Sequence, residues 1–165
     1  MPVPEAESAV ADLRYRLDPA ARLGVPAHIT VMYPFVDPAT PQDSPIRRLR
    51  TILRSVRRFP YRLGRVGWFA DDVVWLAPEP AERFSELTHL VHNAWPHLQP
   101  YGGVHESITP HLTVGDSGSI EELRRAAEEV EQQLPIRAVA REVWLIDGCH
   151  APGSWRLQKR FTLSE

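Results

Sequence analysis

The sequence predicts an α+β fold made of one unit used twice, a strand followed by a helix and a hairpin, each unit led by a helix. Two observations support this prediction. Apolar residues recur at three- and four-residue steps in four segments, and at two-residue steps in the segments between them. The pattern His-x-Thr-Val occurs twice, at residues 28–31 and 111–114, about half the chain apart. A duplicated unit accounts for both observations.

The composition is that of a globular protein, and we expect a single domain over residues 1–165 made of two pseudo-symmetric lobes. Hydrophobic residues are 43% and charged residues 24%, and the net charge of -2 gives no strong overall attraction to nucleic acid or membrane. Cys149 is the only cysteine, which excludes a disulfide framework and a cysteine-based zinc site. No apolar run approaches a membrane span, and the acidic start MPVPEAES is unlike a signal peptide. We therefore expect a cytoplasmic protein without a membrane partner.

The first half of the chain reads as helix, strand, helix and hairpin. Val10, Leu13 and Leu17 lie at helical spacing, and HITVMY then alternates as a strand does. Ser44-Pro45 has the form of an N-cap followed by a first-turn proline, and an amphipathic helix with an arginine-rich outer face follows. Residues 62–78 predict two strands around a turn at Ala70-Asp71-Asp72.

The second half repeats this order. A third helix opens at Pro80 and stops at Pro96, and residues 96–109 form a loop before the strand HLTV. Ser119 and Glu122 form a capping-box pattern ahead of a fourth helix. Two-residue alternation over 139–145 and again over 155–163 predicts two closing strands around a Gly/Pro loop.

The two His-x-Thr pairs have the chemistry of a phosphodiester site. Residues i and i+2 of a strand project from one face, so His28 points with Thr30 and His111 with Thr113. Near neutral pH one imidazole can accept a proton from the attacking oxygen while the other protonates the leaving oxygen. Threonine hydroxyls can donate hydrogen bonds to the non-bridging oxygens, where transition-state charge develops. This chemistry needs no metal and no cofactor.

AHITV and PHLTV resemble the two HxTx signature motifs of the 2H phosphoesterase superfamily, in its 2'-5' RNA ligase (LigT-like) and cyclic phosphodiesterase branch. LGVPAHITVMYPF, VVWLAPEP, PYGG and GSWRLQKRFTL are also similar to segments of short bacterial members, so the resemblance covers nearly the whole chain. It implies a bilobed α+β fold in which antiparallel sheets line a central cleft and helices lie outside. It implies a hydrolase that opens 2',3'-cyclic phosphates without a metal, with His28 as acid, His111 as base, and Thr30 and Thr113 holding the phosphate.

The chain departs from this family pattern in two places. Only Pro2-Val3-Pro4 precedes the first helix, where members usually have a full strand, so we expect either that the first sheet lacks part of an edge strand or that the true start lies upstream. Gly115, Asp116 and Ser117 stand where RNA ligase members often have a basic residue. Because Asp116 would repel phosphate, this favours a small cyclic nucleotide or an unusual phosphoester over a large RNA.

Four further residues are candidates for substrate binding. Tyr101 and Trp155 are aromatic side chains that can stack on a base, and Arg156 is one of several basic residues of the last strand that can contact phosphate. Tyr33 ends the first motif strand on the face opposite His28, a position that favours core packing over the cleft. For each of these residues, packing or a solvated surface is the competing interpretation.

Two clusters of histidine or arginine residues lie outside the motifs. His89, His92 and His97 lack a carboxylate or cysteine to complete a metal site, so we expect no metal. The arginines of the second helix form a solvated face or an RNA-binding surface, and no RNA-recognition signature favours the second. We expect a monomer that acts on a nucleotide or RNA-end phosphodiester and has no protein partner. The alternatives are 2'-5' RNA end joining and a nucleotide- or RNA-binding module without turnover.

Overall fold

The computed structural model describes residues 1–37, 43–103 and 108–165. Within these residues the helices are α1 (Glu7–Leu17), α2 (Pro19–Arg22), α3 (Asp43–Arg54), α4 (Glu82–Ala94) and α5 (Ile120–Glu131). The strands are β1 (Phe59–Phe69), β2 (Val73–Glu79), β3 (Leu112–Gly115), β4 (Ile136–Ala140), β5 (Glu142–Asp147) and β6 (Arg156–Thr162). Short 3-10 turns cover Pro4–Ala6 and Pro100–Gly103.

The predicted helices are present with small shifts at their ends. The capping box at the start of α5 is confirmed: the Ser119 hydroxyl accepts from the Glu122 backbone, and the Glu122 carboxylate accepts from the Ser119 backbone. α3 begins at Asp43, one residue before the predicted N-cap Ser44, a difference within the usual uncertainty of helix ends. The described residues contain no helix that is both long and apolar enough to cross a membrane.

A four-stranded antiparallel sheet in the order β3-β2-β1-β4 forms the larger part of the fold. The predicted hairpin is confirmed as β1 and β2, and Ala70 in its turn adopts a left-handed φ of 46°. β2 then pairs with β3, which begins directly after His111. The sheet thus places the second motif beside the β1–β2 hairpin, although α4 separates the two in the chain.

The closing segment at residues 139–145 is divided between two sheets, and its prediction as one strand is wrong. β4 pairs with β1 in the larger sheet, whereas β5 pairs with β6 in a separate two-stranded sheet. The chain passes from one sheet to the other at Arg141, whose carbonyl accepts a hydrogen bond from Leu163. Two-residue alternation continues through Arg141, so the sequence pattern has no mark at the crossing.

The two units also exchange parts, which the sequence pattern did not predict. The hairpin of the first unit, β1–β2, joins the motif strand of the second unit, β3. Conversely, α3 of the first unit packs against β6 at the end of the chain, while α1 packs against β3. Each half of the chain therefore contributes to the core of the other.

The first motif lies on an extended segment and forms only an isolated bridge, between His28 and Pro2. Val3 donates to the Ala27 carbonyl at 2.8 Å, and Ile29 donates to the Met1 carbonyl at 2.8 Å. Pro2 has no N–H to continue a ladder, and its segment ends at the turn over Pro4–Ala6. The predicted strand over HITVMY is therefore not regular in the structure.

The core joins both sheets to the helices that cover them. It includes fully buried leucines from α1, α3, β1, β2 and β3: Leu13, Leu53, Leu63, Leu76 and Leu112. Burying a leucine side chain stabilises the folded state by about 1.5–3 kcal/mol. Ile29 and Leu112, the neighbours of the two histidines, are both completely buried and so anchor each motif in this core.

Candidate functional site

The two motif histidines are held by the same backbone contact. The Nδ1 atom of His28 lies 2.8 Å from the Pro26 carbonyl, and the Nδ1 atom of His111 lies 2.7 Å from the Thr109 carbonyl. A carbonyl only accepts hydrogen bonds, so each Nδ1 carries the proton and the neutral ring has its lone pair on Nε2. Both imidazoles are thus fixed in the tautomer that a proton acceptor requires, through a carbonyl two residues earlier.

Tyr101 connects the two motifs. Its ring stacks on His111 with centroids 6.3 Å apart and planes 25° apart, and its hydroxyl is hydrogen-bonded to the Thr30 side chain. Its backbone N–H donates to the Tyr33 carbonyl at 2.6 Å. Burial raises the pKa of Tyr101, so the phenol stays protonated, although the contact with Thr30 acts in the opposite direction.

The backbone of Tyr101 has an unusual conformation, which supports a functional role for this residue. Its φ of 53° and ψ of 31° lie in the left-handed region, where a non-glycine residue costs on the order of 1–3 kcal/mol. Such conformations persist only where surrounding contacts hold them, and they concentrate at functional sites. The sequence analysis proposed Tyr101 for substrate binding, and the structure brings it to both motifs.

Two further aromatic rings enclose His111. Phe69 meets the imidazole edge-on at 4.9 Å, and Trp75 lies 6.1 Å from it. Phe69 and Trp75 stack on each other at 4.9 Å, and Trp75 pairs with Thr113 across β2 and β3. Trp75 was not among the candidates that the sequence patterns identified. The sequence feature that could have identified Trp75 is its position on the last predicted strand before the second motif.

Replacing Gly67 with alanine should destabilise the protein by about 1–3 kcal/mol, because the added methyl overpacks a buried ring. A Cβ atom at Gly67 would lie 2.4 Å from the Trp75 ring, which cannot move without disturbing Phe69 and His111. Urea denaturation measures the loss. Gly64→Ala in the same strand is the control: the atoms nearest its Cβ belong to the Glu79 carboxylate, which can rotate away at the cost of its exposed ion pair with Arg62, so the free energy of unfolding should change by less than about 1 kcal/mol. Equal losses in the two variants would contradict this account of Gly67.

The pKa of His28 is lowered to about 3, chiefly because burial disfavours the charged imidazolium. Positive charge nearby, including that of Arg14 and His111, lowers it further, whereas the hydrogen bond to Pro26 raises it. In the substrate-free protein His28 is therefore neutral at ordinary pH. The influence of His111 on this value also indicates that the two imidazoles share one electrostatic environment.

A buried ion pair lies behind the first motif. Both Nε and an Nη atom of Arg14 donate to one carboxylate oxygen of Asp18, at 2.9 and 2.7 Å, and both side chains are almost fully buried. The other carboxylate oxygen of Asp18 accepts from the Ala20 backbone at the start of α2. This pair was not identified from the sequence, although Arg14 and Asp18 are four residues apart, which is the usual spacing of a helical ion pair.

The other three residues proposed to bind substrate differ in exposure and in their contacts. Tyr33 is 54% exposed, so the expectation of core packing is wrong, and its ring lies 6.4 Å from that of Trp155. The buried Trp155 Nε1 has no hydrogen-bond partner among the described residues. The guanidinium of Arg156 donates to the carbonyls of Gly153 and Trp155. Arg156 thus braces its own loop, and contact with phosphate stays a prediction for it.

Asp116 lies away from the motif that precedes it. It follows the last residue of β3, about 16 Å along the strand from His111. Its backbone N–H donates to the Leu17 carbonyl at 2.8 Å, at the end of α1. Burial, then the nearby charge of Asp18, raises the pKa of Asp116. This position removes the basis for expecting Asp116 to repel a phosphate held by His111.

The histidines of α4 do not form a metal site with their surroundings. The Nδ1 atom of His92 is 2.8 Å from the Leu98 carbonyl. Across residues 1–37, 43–103 and 108–165, no group of three His, Cys, Asp or Glu side chains is arranged to hold a metal ion.

Comparison with known proteins agrees with the motifs. A family model for the 2'-5' RNA ligase superfamily matches residues 2–148. A protein of Bacillus mycoides named as a phosphoesterase is 33% identical over 106 residues, which are 62% of this chain and 58% of that protein. One from Bacillus cytotoxicus, named in the same way, is 31% identical over 105 residues, with the same shares of the two chains. The matched part thus spans little more than half the length of these relatives.

A solved structure shares the fold. The crystal structure of Escherichia coli LigT, complexed with 3'-AMP, superposes with a TM-score of 0.57 over 99% of this chain and 94% of that one. The sequence identity is 18%, so this likeness establishes the fold alone. It confirms the expected α+β architecture of antiparallel sheets with helices packed against them.

Proposed function

This chain belongs to the 2'-5' RNA ligase superfamily, and we propose that it is a metal-independent phosphoesterase that hydrolyses 2',3'-cyclic phosphodiesters by histidine acid–base catalysis. The observation that supports this most is the matched pair of imidazoles. Both bond through Nδ1 to the carbonyl two residues earlier, and Tyr101 touches His111 and Thr30 together. Two histidines presented in this way can serve the attacking and the leaving oxygen of one phosphorus.

The reaction proceeds by displacement at phosphorus. One imidazole takes a proton from a water molecule as the water oxygen bonds to phosphorus. The bond from phosphorus to O3' breaks, and the other imidazole, protonated at the start, gives its proton to O3'. The product is a 2'-phosphate. Thr30 and Thr113 donate hydrogen bonds to the non-bridging oxygens, where such donors typically contribute about 10²–10³-fold to the rate.

The electrostatics of the substrate-free protein support His28 as the base and His111 as the acid. A pKa lowered to about 3 keeps His28 neutral, with the Nε2 lone pair available for a proton. This is the reverse of the roles implied by the family resemblance. A bound phosphodiester carries negative charge, which raises the pKa of both imidazoles, so the low pKa of His28 describes the free enzyme.

The pH dependence of kcat/KM has the same shape for both assignments, because each needs one protonated and one neutral imidazole in the free enzyme. A substrate with a good leaving group distinguishes them, since a leaving oxygen of low basicity needs no proton from an acid. With His111 as acid, we expect His111→Ala to lose much less activity on a 4-nitrophenyl phosphodiester than on 2',3'-cyclic AMP, whereas His28→Ala loses activity on both. With His28 as acid, the two variants would exchange these results. Both substrates are measured in EDTA.

Two observations support a nucleotide as the substrate. LigT was solved with 3'-AMP, a nucleotide, and the present chain has its fold. The exposed Tyr33 ring beside Trp155 offers an aromatic surface close to Tyr101, on which a base can stack. The first test is hydrolysis of the four 2',3'-cyclic nucleotides in EDTA. Turnover with release of 2'-phosphates supports the proposal; binding of these nucleotides without turnover would favour a binding module instead.

A further inference from the structure

A small pocket between α3 and β6 gathers three arginines from distant parts of the chain. It encloses about 190 Å³ and is lined by Arg50, Arg54, Arg160, Phe161 and Thr162. Arg50 and Arg54 are exposed and one helical turn apart on α3, so their side chains lie on the same side of the helix. Arg160 comes from β6, against which α3 packs.

The lining of this pocket is basic and contains no carboxylate. The ion pairs found among the described residues do not include Arg50, Arg54 or Arg160, whereas the nearby Arg58 lies 3.6 Å from Glu165. Three guanidinium groups that line one small pocket repel one another, and the acid opposite Thr162, Glu142, is not among the lining residues but accepts a hydrogen bond from Trp144. An anion in the pocket would relieve that repulsion, and guanidinium groups bind phosphate oxygens in a planar, two-pronged geometry.

Arg160 is also held in place by an aromatic ring. Its guanidinium lies 5.1 Å from the centre of the Trp144 ring, the residue opposite it on β5. The adjacent pair, Val143 and Phe161, is buried in the core, so Trp144 and Arg160 share the opposite face of this sheet. A fixed cation beside an aromatic surface is the combination found in grooves that bind single-stranded nucleic acid.

β6 connects this pocket to the proposed active site. Its first residue follows Trp155, whose ring lies beside Tyr33, and residues Arg156–Arg160 are all exposed. Arg160 is five residues beyond Trp155, a distance of about 16 Å along an extended strand. At the roughly 3.4 Å rise per nucleotide of a stacked strand, this span corresponds to about five nucleotides.

We infer that the pocket of Arg50, Arg54 and Arg160 binds a backbone phosphate of a single RNA strand, about five nucleotides beyond the base beside Trp155, while the motif histidines hold the end of that strand. This inference rests on the proposed function and extends it from a cyclic nucleotide to an RNA end. The net charge of -2 does not oppose it, because the field of three clustered arginines acts within about 10 Å at ordinary salt.

The first experiment measures binding and requires no turnover. A fluorescent RNA 10-mer without a terminal phosphate is titrated with the native protein, with Arg54→Gln/Arg160→Gln, and with Arg124→Gln, an exposed arginine of α5, as a single-charge control. We expect the double variant to raise Kd about tenfold and to reduce the slope of log Kd against log salt by about 1.4, or 0.7 per charge. The Arg124 variant should bind as the native protein does.

The second experiment compares substrates of two lengths that both end in a 2',3'-cyclic phosphate. The double variant should keep the native kcat/KM on the mononucleotide and lose about tenfold on the 10-mer, mainly through KM. Arginine-dependent RNA binding without any hydrolysis would refute the proposed function and leave this inference standing. Native affinity for RNA in the double variant, or an equal loss in Arg124→Gln, would overturn the inference, as would tighter binding of anionic vesicles or phosphopeptides than of RNA.

Discussion

Replacing either His28 or His111 with alanine should lower the turnover of a 2',3'-cyclic nucleotide by about 10²–10⁴-fold, the usual contribution of a positioned acid or base. The two imidazoles have matching anchors, Pro26 O and Thr109 O, so each is already oriented before substrate binds. Because they act on one displacement, the double variant should be little slower than either single variant. Steady-state kinetics in EDTA measures the effect.

His89→Ala provides the matched control for this pair. His89 is an exposed residue of α4, outside the contacts described for the site, so its loss should leave kcat and KM unchanged. Circular dichroism should show native folding for all the variants. Full activity in His28→Ala or in His111→Ala would exclude the paired mechanism, since neither role can be supplied by the remaining imidazole alone.

Replacing Asp18 with alanine should lower the free energy of unfolding by about 3–5 kcal/mol, because it leaves the buried charge of Arg14 without a partner. Arg14 is 2% exposed and makes two hydrogen bonds to Asp18. The same change removes the cap at the start of α2, where the carboxylate accepts from Ala20, a contact worth about 1 kcal/mol. Chemical denaturation followed by fluorescence measures the total.

Two other variants separate charge from capping and packing. Asp18→Asn keeps a capping oxygen but removes the charge. Its free energy of unfolding should therefore fall by most of the amount expected for Asp18→Ala. The apolar pair Arg14→Met/Asp18→Leu removes both charges and should be much more stable than Asp18→Ala, because no unpaired ion is left in the core. If the double replacement were as unstable as Asp18→Ala, the unpaired charge would not be the cause.

Local sequence patterns were sufficient for the helices, for the first hairpin and for naming the candidate catalytic residues. The Ser119 capping box and the β1–β2 hairpin with its turn at Ala70–Asp72 were predicted correctly, because each depends on residues only a few positions apart. The repeated His-x-Thr-Val likewise identifies His28 and His111 without knowledge of the fold. The resemblance of these motifs to the 2H phosphoesterases agrees with the family of the chain.

Other features depend on contacts between residues far apart in the chain, and local patterns do not contain them. Two-residue alternation runs unchanged through Arg141, although the chain changes sheets there, since alternation reports which face is buried and not which strand is adjacent. Tyr101 and Trp75 reach His111 only because loop and sheet bring them together. The lowered pKa of His28 and the meeting of Arg50 with Arg160 likewise require the folded chain. Sequence by itself determined which residues are candidates for the chemistry; tertiary packing decided their neighbours, their burial and hence their protonation.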